Sequence, residues 1–252
     1  MTLAGRFMKP IVVCDFDGTI TQVDVTDLVL AQLAHPSWRE VEQEWARGLI
    51  GSRECLKRQM ALVDASAKEL NALIDSVAID PHFESFYRFV RRNRLAFHVV
   101  SDGFDLIIRR VLKNSGLNAP LHNGTHLFSS GLKVRGRRLE SSFPFSGPPC
   151  GHDCATCKVE IIRRLRSRGN PVVFIGDGLS DQFAAQVADM VFAKRQLLAH
   201  CRQNGIPSTP FETFAEVQAE LAAILDRGTA YEVARRRELK ASTIHSKAVV
   251  AV

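Results

Sequence analysis

Two aspartates one residue apart, Asp15 and Asp17, end an apolar run in the stretch IVVCDFDGTITQVD. A buried carboxylate is costly unless a metal, hydrogen-bond donors or a reacting ligand holds it. Three more polar groups follow along the chain: Ser101, Asp102 and Gly103 in SDG, then Lys158, then Asp177 and Asp181 in GDGLSD. Carboxylates drawn from separate segments can share a hard cation. A serine hydroxyl, backbone N–H groups and a lysine can together hold an anionic oxygen. Singly, each residue has an ordinary alternative. Acidic pairs occur at turns, Ser101 and Asp181 could cap helices, and Lys158 could lie on a solvated face. Their order along the chain, and the apolar runs that precede three of them, point to one site.

A parallel sheet would bring them together. Ile11–Phe16, Leu95–Val100 and Val172–Ile175 are apolar runs of strand length, as expected of strands covered on both faces. Each run leads into one of the polar clusters, and open α/β sheets bind ligands just outside the carboxyl ends of their strands. Met190–Ala193 reads as a fourth strand. Between the first two strands the period becomes helical. Ser37 and Glu40 form one capping-box pattern and Ser66 and Glu69 a second, with Trp38, Val41, Trp45, Cys55, Leu56, Gln59, Met60 and Val63 in stripes that read as helix core. Asp80-Pro81 ends that region. HNGTHLFSSGLKVRGRRLE reads as a β-hairpin turning at Ser129–Gly131, Lys158–Arg168 as a basic helix, and Thr213 and Glu216 as the cap of a helix running to about Leu225. The expected organisation is a three-layer α/β core over 1–22 and 85–226, a small helical cap over 23–84, and a basic tail over 227–252.

DFDGT, SDG, Lys158 and GDGLSD, in that order, resemble the four motifs of the haloacid dehalogenase superfamily, over roughly Met8 to Leu225. The small helical insertion directly after the first motif is similar to the phosphoserine phosphatase branch. DFDGTIT, the tryptophan-bearing cap and the cysteines beside the lysine are most similar to its methionine-salvage phosphatases. The resemblance implies a Rossmann-like core and a phosphomonoester hydrolase acting on a small phosphorylated metabolite. Asp15 would attack phosphorus and Asp17 would handle the proton of the leaving oxygen. Mg²⁺ would sit on Asp15, the Asp17 carbonyl and Asp177, with Asp181 as ligand or support, and Ser101, Lys158 and the N–H groups near Gly18 and Gly103 would hold the phosphoryl oxygens. Asp102 stands where that branch often has glycine, and its carboxylate should point outward or meet the cap. Asp24 and Arg58 are the candidates for substrate choice. Phosphoserine, phosphocholine and phosphoethanolamine are the alternative substrates, and a catalytically silent phosphate-binding protein is the alternative of another class.

Cys150, His152, Cys154 and Cys157 crowd the stretch before Lys158. They allow a zinc site, a redox-sensitive dithiol or plain thiols, although four ligands this close strain a tetrahedron. The 252 residues are 46% hydrophobic and 24% charged, which suits a globular chain with a full core. The net charge of +6 comes from scattered arginines not interleaved with aromatics, a pattern of solvated faces more than of a nucleic-acid surface. No apolar run approaches the ~20 residues of a membrane span, and the N-terminus lacks a signal-peptide pattern. A cytoplasmic location is expected, and the oligomeric state is left open.

Overall fold

Val12 and Cys14 face one hydrophobic cluster, and Ile11 and Val13 face another. This is the period-two alternation of a strand, and here both faces are covered. The strand is β1 (Ile11–Cys14), at the centre of a sheet in the computed structural model, which describes residues 8–117, 126–146, 152–166 and 169–228. The other strands are β2 (Ala96–Phe104), β3 (His126–Arg135), β4 (Arg138–Ser142), β5 (Val172–Gly176), β6 (Met190–Ala193) and β7 (Thr209–Pro210). They lie in the order β4-β3-β2-β1-β5-β6-β7, parallel except for the β3–β4 pair.

Between β1 and β2 run α1 (Val25–Leu33), α2 (Trp38–Ala46), α3 (Ser52–Ala61), α4 (Ala67–Ile74) and α5 (Phe83–Arg92). After β2 come α6 (Asp105–Asn114), α7 (Lys158–Arg166), α8 (Gln182–Val187), α9 (Arg195–Gln203) and α10 (214–228). Ile162, Ala184 and Leu197 bring α7, α8 and α9 onto one face of the sheet, whereas Phe86, Ile108 and Val217 bring α5, α6 and α10 onto the other. The second face is nailed down by aromatic contacts, among them an edge-to-face pair of Phe83 and Phe214 with centroids 4.9 Å apart. The result is the expected three-layer α/β fold. Because β1 sends the chain to β2 on one side and meets β5 on the other, its carboxyl end is the switch point where a crevice forms.

Local readings fare unevenly. Ser66 and Glu69 do make a reciprocal capping box at α4. Ser37 does not cap α2: its backbone is already helical, and its hydroxyl lies 2.9 Å from His35 Nδ1. The hairpin turns at Gly136–Arg137, not at Ser129–Gly131. Ser130 still belongs to the parallel ladder with β2, and only from Gly131 onward does β3 pair antiparallel with β4. Cys150, the end of the basic helix at 167–168 and the tail from 229 lie outside the described residues. No helix among the described residues is long and apolar enough to cross a membrane.

Candidate active site

Asp15 is the first residue past β1, and its N–H still bonds Ile175 O of β5 at 2.9 Å. The sheet therefore fixes its backbone. Lys158, the first residue of α7, reaches across and donates from Nζ to Asp15 Oδ1 at 2.6 Å and to Asp181 Oδ1 at 2.5 Å. Asp181 is fully buried, and its other oxygen accepts the N–H groups of Asp177 (3.0 Å) and Gly178 (3.2 Å). Asp177 Oδ1 takes the Thr19 hydroxyl at 2.7 Å, and its Oδ2 faces Arg195 Nη1 at 3.3 Å. Asp17 Oδ1 accepts Val25 N–H at 3.1 Å, and its Oδ2 lies 3.4 Å from Ser101 Oγ. The Ser101 hydroxyl in turn accepts Gly103 N–H at 2.9 Å. The residues proposed from separate motifs thus meet at the ends of β1, β2 and β5.

Two glycines make the approach possible. Gly18 turns the chain with φ +70°, and a Cβ there would run into the Asp177 carboxylate. A Cβ on Gly103 would strike the Asp17 carboxylate. Both positions need the bare backbone.

The charges are unbalanced. Burial and then Asp181 push the Asp15 carboxyl well above its usual range, burial and then Asp24 do so for Asp17, and burial raises Asp177. Burial by itself would discharge Lys158, but Asp15 and Asp181 outweigh it and keep it a cation. Acceptor oxygens of Asp15, Asp177 and Asp181 all lie within 4.8 Å of one another. Hard carboxylate oxygens this close, with too few cations among them, fit a divalent ion such as Mg²⁺. The Asp17 side chain is not in that set and turns instead toward Val25 and Ser101.

Above this sheet end lies a cleft of about 400 Å³. Its opposite wall is helical, with Asp24, Asp27, Glu42, Trp45, Cys55 and Gln59 facing in. Asp24 is there as expected, but it also caps α1, accepting Asp27 N–H at 2.9 Å. The protein around it, and then Asp27, lift its carboxyl to about 6. Arg58 is not brought to the cleft: both Nη atoms pair with the Glu44 carboxylate, at 2.6 and 2.9 Å. Its neighbour Gln59 is, with Nε2 donating to Glu42 at 2.8 Å. Trp45, read as helix core, lines the cleft. Arg195, Thr19 and Ser52 escaped the sequence reading. Thr19 closes the DFDGT motif and Arg195 stands two residues after the fourth strand, whereas Ser52 carried no signal.

The Asp102 carboxylate meets the segment before α7, accepting Thr156 N–H at 2.9 Å. In the cysteine segment, His152 stacks flat on Phe183 with centroids 3.6 Å apart. Among the described residues, the three aspartates above are the group that could share a metal ion, and Cys154 and Cys157 do not join one. Cys150 lies outside those residues.

Fold and site place the chain with α/β enzymes that work at the carboxyl ends of a parallel sheet. More narrowly, it belongs to the haloacid dehalogenase-like hydrolases, whose family model matches residues 12–186. Among curated relatives, the 2-hydroxy-3-keto-5-methylthiopentenyl-1-phosphate phosphatase of Bacillus cereus is 32% identical over 219 residues, 85% of this chain and 97% of that protein. Its counterpart in Bacillus mycoides is 30% identical over 218 residues, again 85% of this chain and 97% of the relative. A solved phosphoserine phosphatase, captured as an analogue of its phospho-aspartyl intermediate, superposes with a TM-score of 0.64 at 18% identity. That match covers 84% of this chain and 99% of that one, and establishes the shared fold.

Proposed function

We propose that this hydrolase is a Mg²⁺-dependent phosphatase of a small phosphorylated metabolite, working through an aspartyl-phosphate on Asp15. The observation that carries the reading is the Lys158 clamp. It fixes Oδ1 of Asp15 on the cleft that Asp17 and Ser101 also line, and leaves the second oxygen for attack. That oxygen would form the P–O bond while the ester P–O bond breaks, and Asp17 would give its proton to the departing oxygen. Water would then attack the phosphoryl group with Asp17 taking its proton, releasing phosphate and restoring the Asp15 carboxylate. Ser101 and Lys158 would hold the phosphoryl oxygens throughout. When bound, the metal would offset phosphoryl charge. Asp15, the Asp17 carbonyl and Asp177 would hold it, while Asp181, occupied by Lys158 and two backbone N–H groups, supports the set.

On this reading the helices over 23–84 act as a cap that selects the metabolite. The names of the curated relatives favour the methylthiopentenyl phosphate of methionine salvage. A second reading, an ammonium-bearing ester such as phosphocholine or phosphoethanolamine, is favoured by the acids Asp24, Asp27 and Glu42 on the helical wall. Phosphoserine loses ground because Arg58, the expected partner for its carboxylate, is engaged by Glu44. A screen of these phosphates by kcat/KM decides among them. The methylthiopentenyl phosphate should lead, whereas no turnover with any phosphoester would return the chain to the silent-binder reading.

A further inference from the structure

Asp102 poses a problem for an enzyme that binds an anion. It lies between Ser101 and Gly103, at the phosphoryl end of the cleft, and it is half-buried. Its carboxylate is engaged by the protein, the Thr156 N–H donating to it at 2.9 Å. The backbone at Asp102 is pinned too, its carbonyl accepting the Ser130 hydroxyl at 2.9 Å.

Two segments that matter for the reaction meet beside it. Ser52 is the first residue of α3, the helix that puts Cys55, Leu56 and Gln59 on the cleft wall. Thr156 is two residues before Lys158 in the segment leading into α7. Ser52 grips the residue next to Thr156, its Oγ accepting Ala155 N–H at 2.9 Å. The next residue repeats the contact: Arg53 N–H donates to Asp153 O at 3.2 Å, and the two side chains pair at 2.5 Å. The His152 ring stacked on Phe183 anchors the far end of the segment on α8. Charge-assisted hydrogen bonds at a half-buried carboxylate are stronger than neutral ones and fix direction.

We infer that Asp102 and Ser52 form a latch that seats α3 on the segment carrying Lys158, so that the substrate-selecting wall and the lysine clamp are positioned as one unit. Asp102 is then a positioning residue, its carboxylate holding the Thr156 N–H while Ser52 holds the adjacent Ala155 N–H. The inference rests on the proposed phosphatase reading only for its kinetic readout.

The test uses the two tryptophans, Trp38 and Trp45, which both belong to α2, the helix packed on α3. Their fluorescence therefore reports on this wall alone. Acrylamide quenching should rise about two-fold in Ser52→Ala and in Asp102→Gly, stay at the parent value in Arg88→Ala on the outer face of α5, and return to it in Ser52→Thr, which keeps the hydroxyl. With 4-nitrophenyl phosphate and Mg²⁺, Ser52→Ala should lose about ten-fold in kcat at little change in KM, and Ser52→Thr should recover it. If Asp102→Gly does not fold, the Ser52 pair carries the test. Equal quenching and equal kcat in Ser52→Ala and the parent would overturn the latch. An absence of turnover in the parent itself would overturn the phosphatase reading, and the quenching result would still decide the latch.

Discussion

At the sheet end of the cleft every charged group has a partner inside the protein. Lys158 holds Asp15 and Asp181, Thr19 holds Asp177, and the backbone N–H groups of Asp177 and Gly178 hold Asp181. On the helical wall opposite, Asp24 and Asp27 stand exposed, and among the described residues Glu42 meets the Gln59 amide and, at 3.8 Å, the Cys55 thiol. One side is built on β-strands that fix each backbone to its neighbours. The other is built on short helices joined by loops, packed on the core through apolar side chains such as Val29, Leu56, Met60 and Ile74. A reaction centre needs positions held to a fraction of an ångström, whereas a selecting surface needs only the right chemistry facing in. The contrast suggests that changes at the sheet end should abolish turnover, and that changes on the wall should redistribute it among substrates.

The largest effect is expected at Asp15. Asp15→Asn removes the attacking oxygen and should lower kcat by on the order of 10⁴-fold or more. Chelation should do the same to the parent enzyme, reversibly on adding Mg²⁺, and steady-state assays with 4-nitrophenyl phosphate would measure both. Activity that survived Asp15→Asn would break the assignment of the nucleophile.

Lys158→Ala should cost both activity and stability. It leaves the buried carboxylates of Asp15 and Asp181 unpaired, a loss of about 3–5 kcal/mol for a buried ion pair with one partner removed. Urea unfolding measures it, and Mg²⁺ should restore part of the loss by binding the folded variant. A variant as stable as the parent would mean that the sheet end is not the strained, charge-crowded place its geometry describes.

On the wall the comparison sharpens at one helix. Trp45→Ala should raise KM about ten-fold for the best metabolite in the screen and change kcat little. Arg58→Ala should leave kcat/KM within about two-fold and stability near the parent's, because its pair with Glu44 is solvent-exposed. An Arg58 variant that changed substrate preference would put the residue back in the cleft.

The same division explains what could be read without coordinates. Asp15, Ser101 and Asp177 were legible because each follows a strand-length apolar run and strand direction aims them at one end of the sheet, whereas Lys158, at the start of α7, was legible only from its place in the order of motifs. Arg58 and Gln59 were not separable, since one residue on a helix is a turn of about 100° and the phase of α3 is set by what it packs against. The hairpin turn was misplaced for a similar reason. Gly131 and Gly136 both signal turns, and the choice between them depends on β2, far away in sequence, which claims the first half of β3. Ser37 lost its cap to a neighbouring histidine. Asp102 could be flagged as out of place, but the partner of its carboxylate, Thr156, lies 54 residues further along the chain.

The smallest expected effect is at Asp24, where wall and sheet end meet. The folded protein lifts this carboxyl from 3.8 to about 6, so between those values the native state binds more protons than the unfolded chain. Stability should therefore fall as pH rises through that window, and the penalty should be complete above pH 6. Asp24→Asn removes the titration and keeps the cap of α1, because an asparagine oxygen accepts Asp27 N–H as well. The carboxylate is exposed, so screening limits the gain at pH 7 to under about 1 kcal/mol, or about 2–4 °C in Tm. The variant's advantage should shrink toward zero at pH 4. A parent more stable than Asp24→Asn at pH 7 would show that attraction to the α1 N-terminus outweighs the desolvation of Asp24 and its crowding against Asp27. In that case the wall, like the sheet end, would hold its charges by design of the backbone.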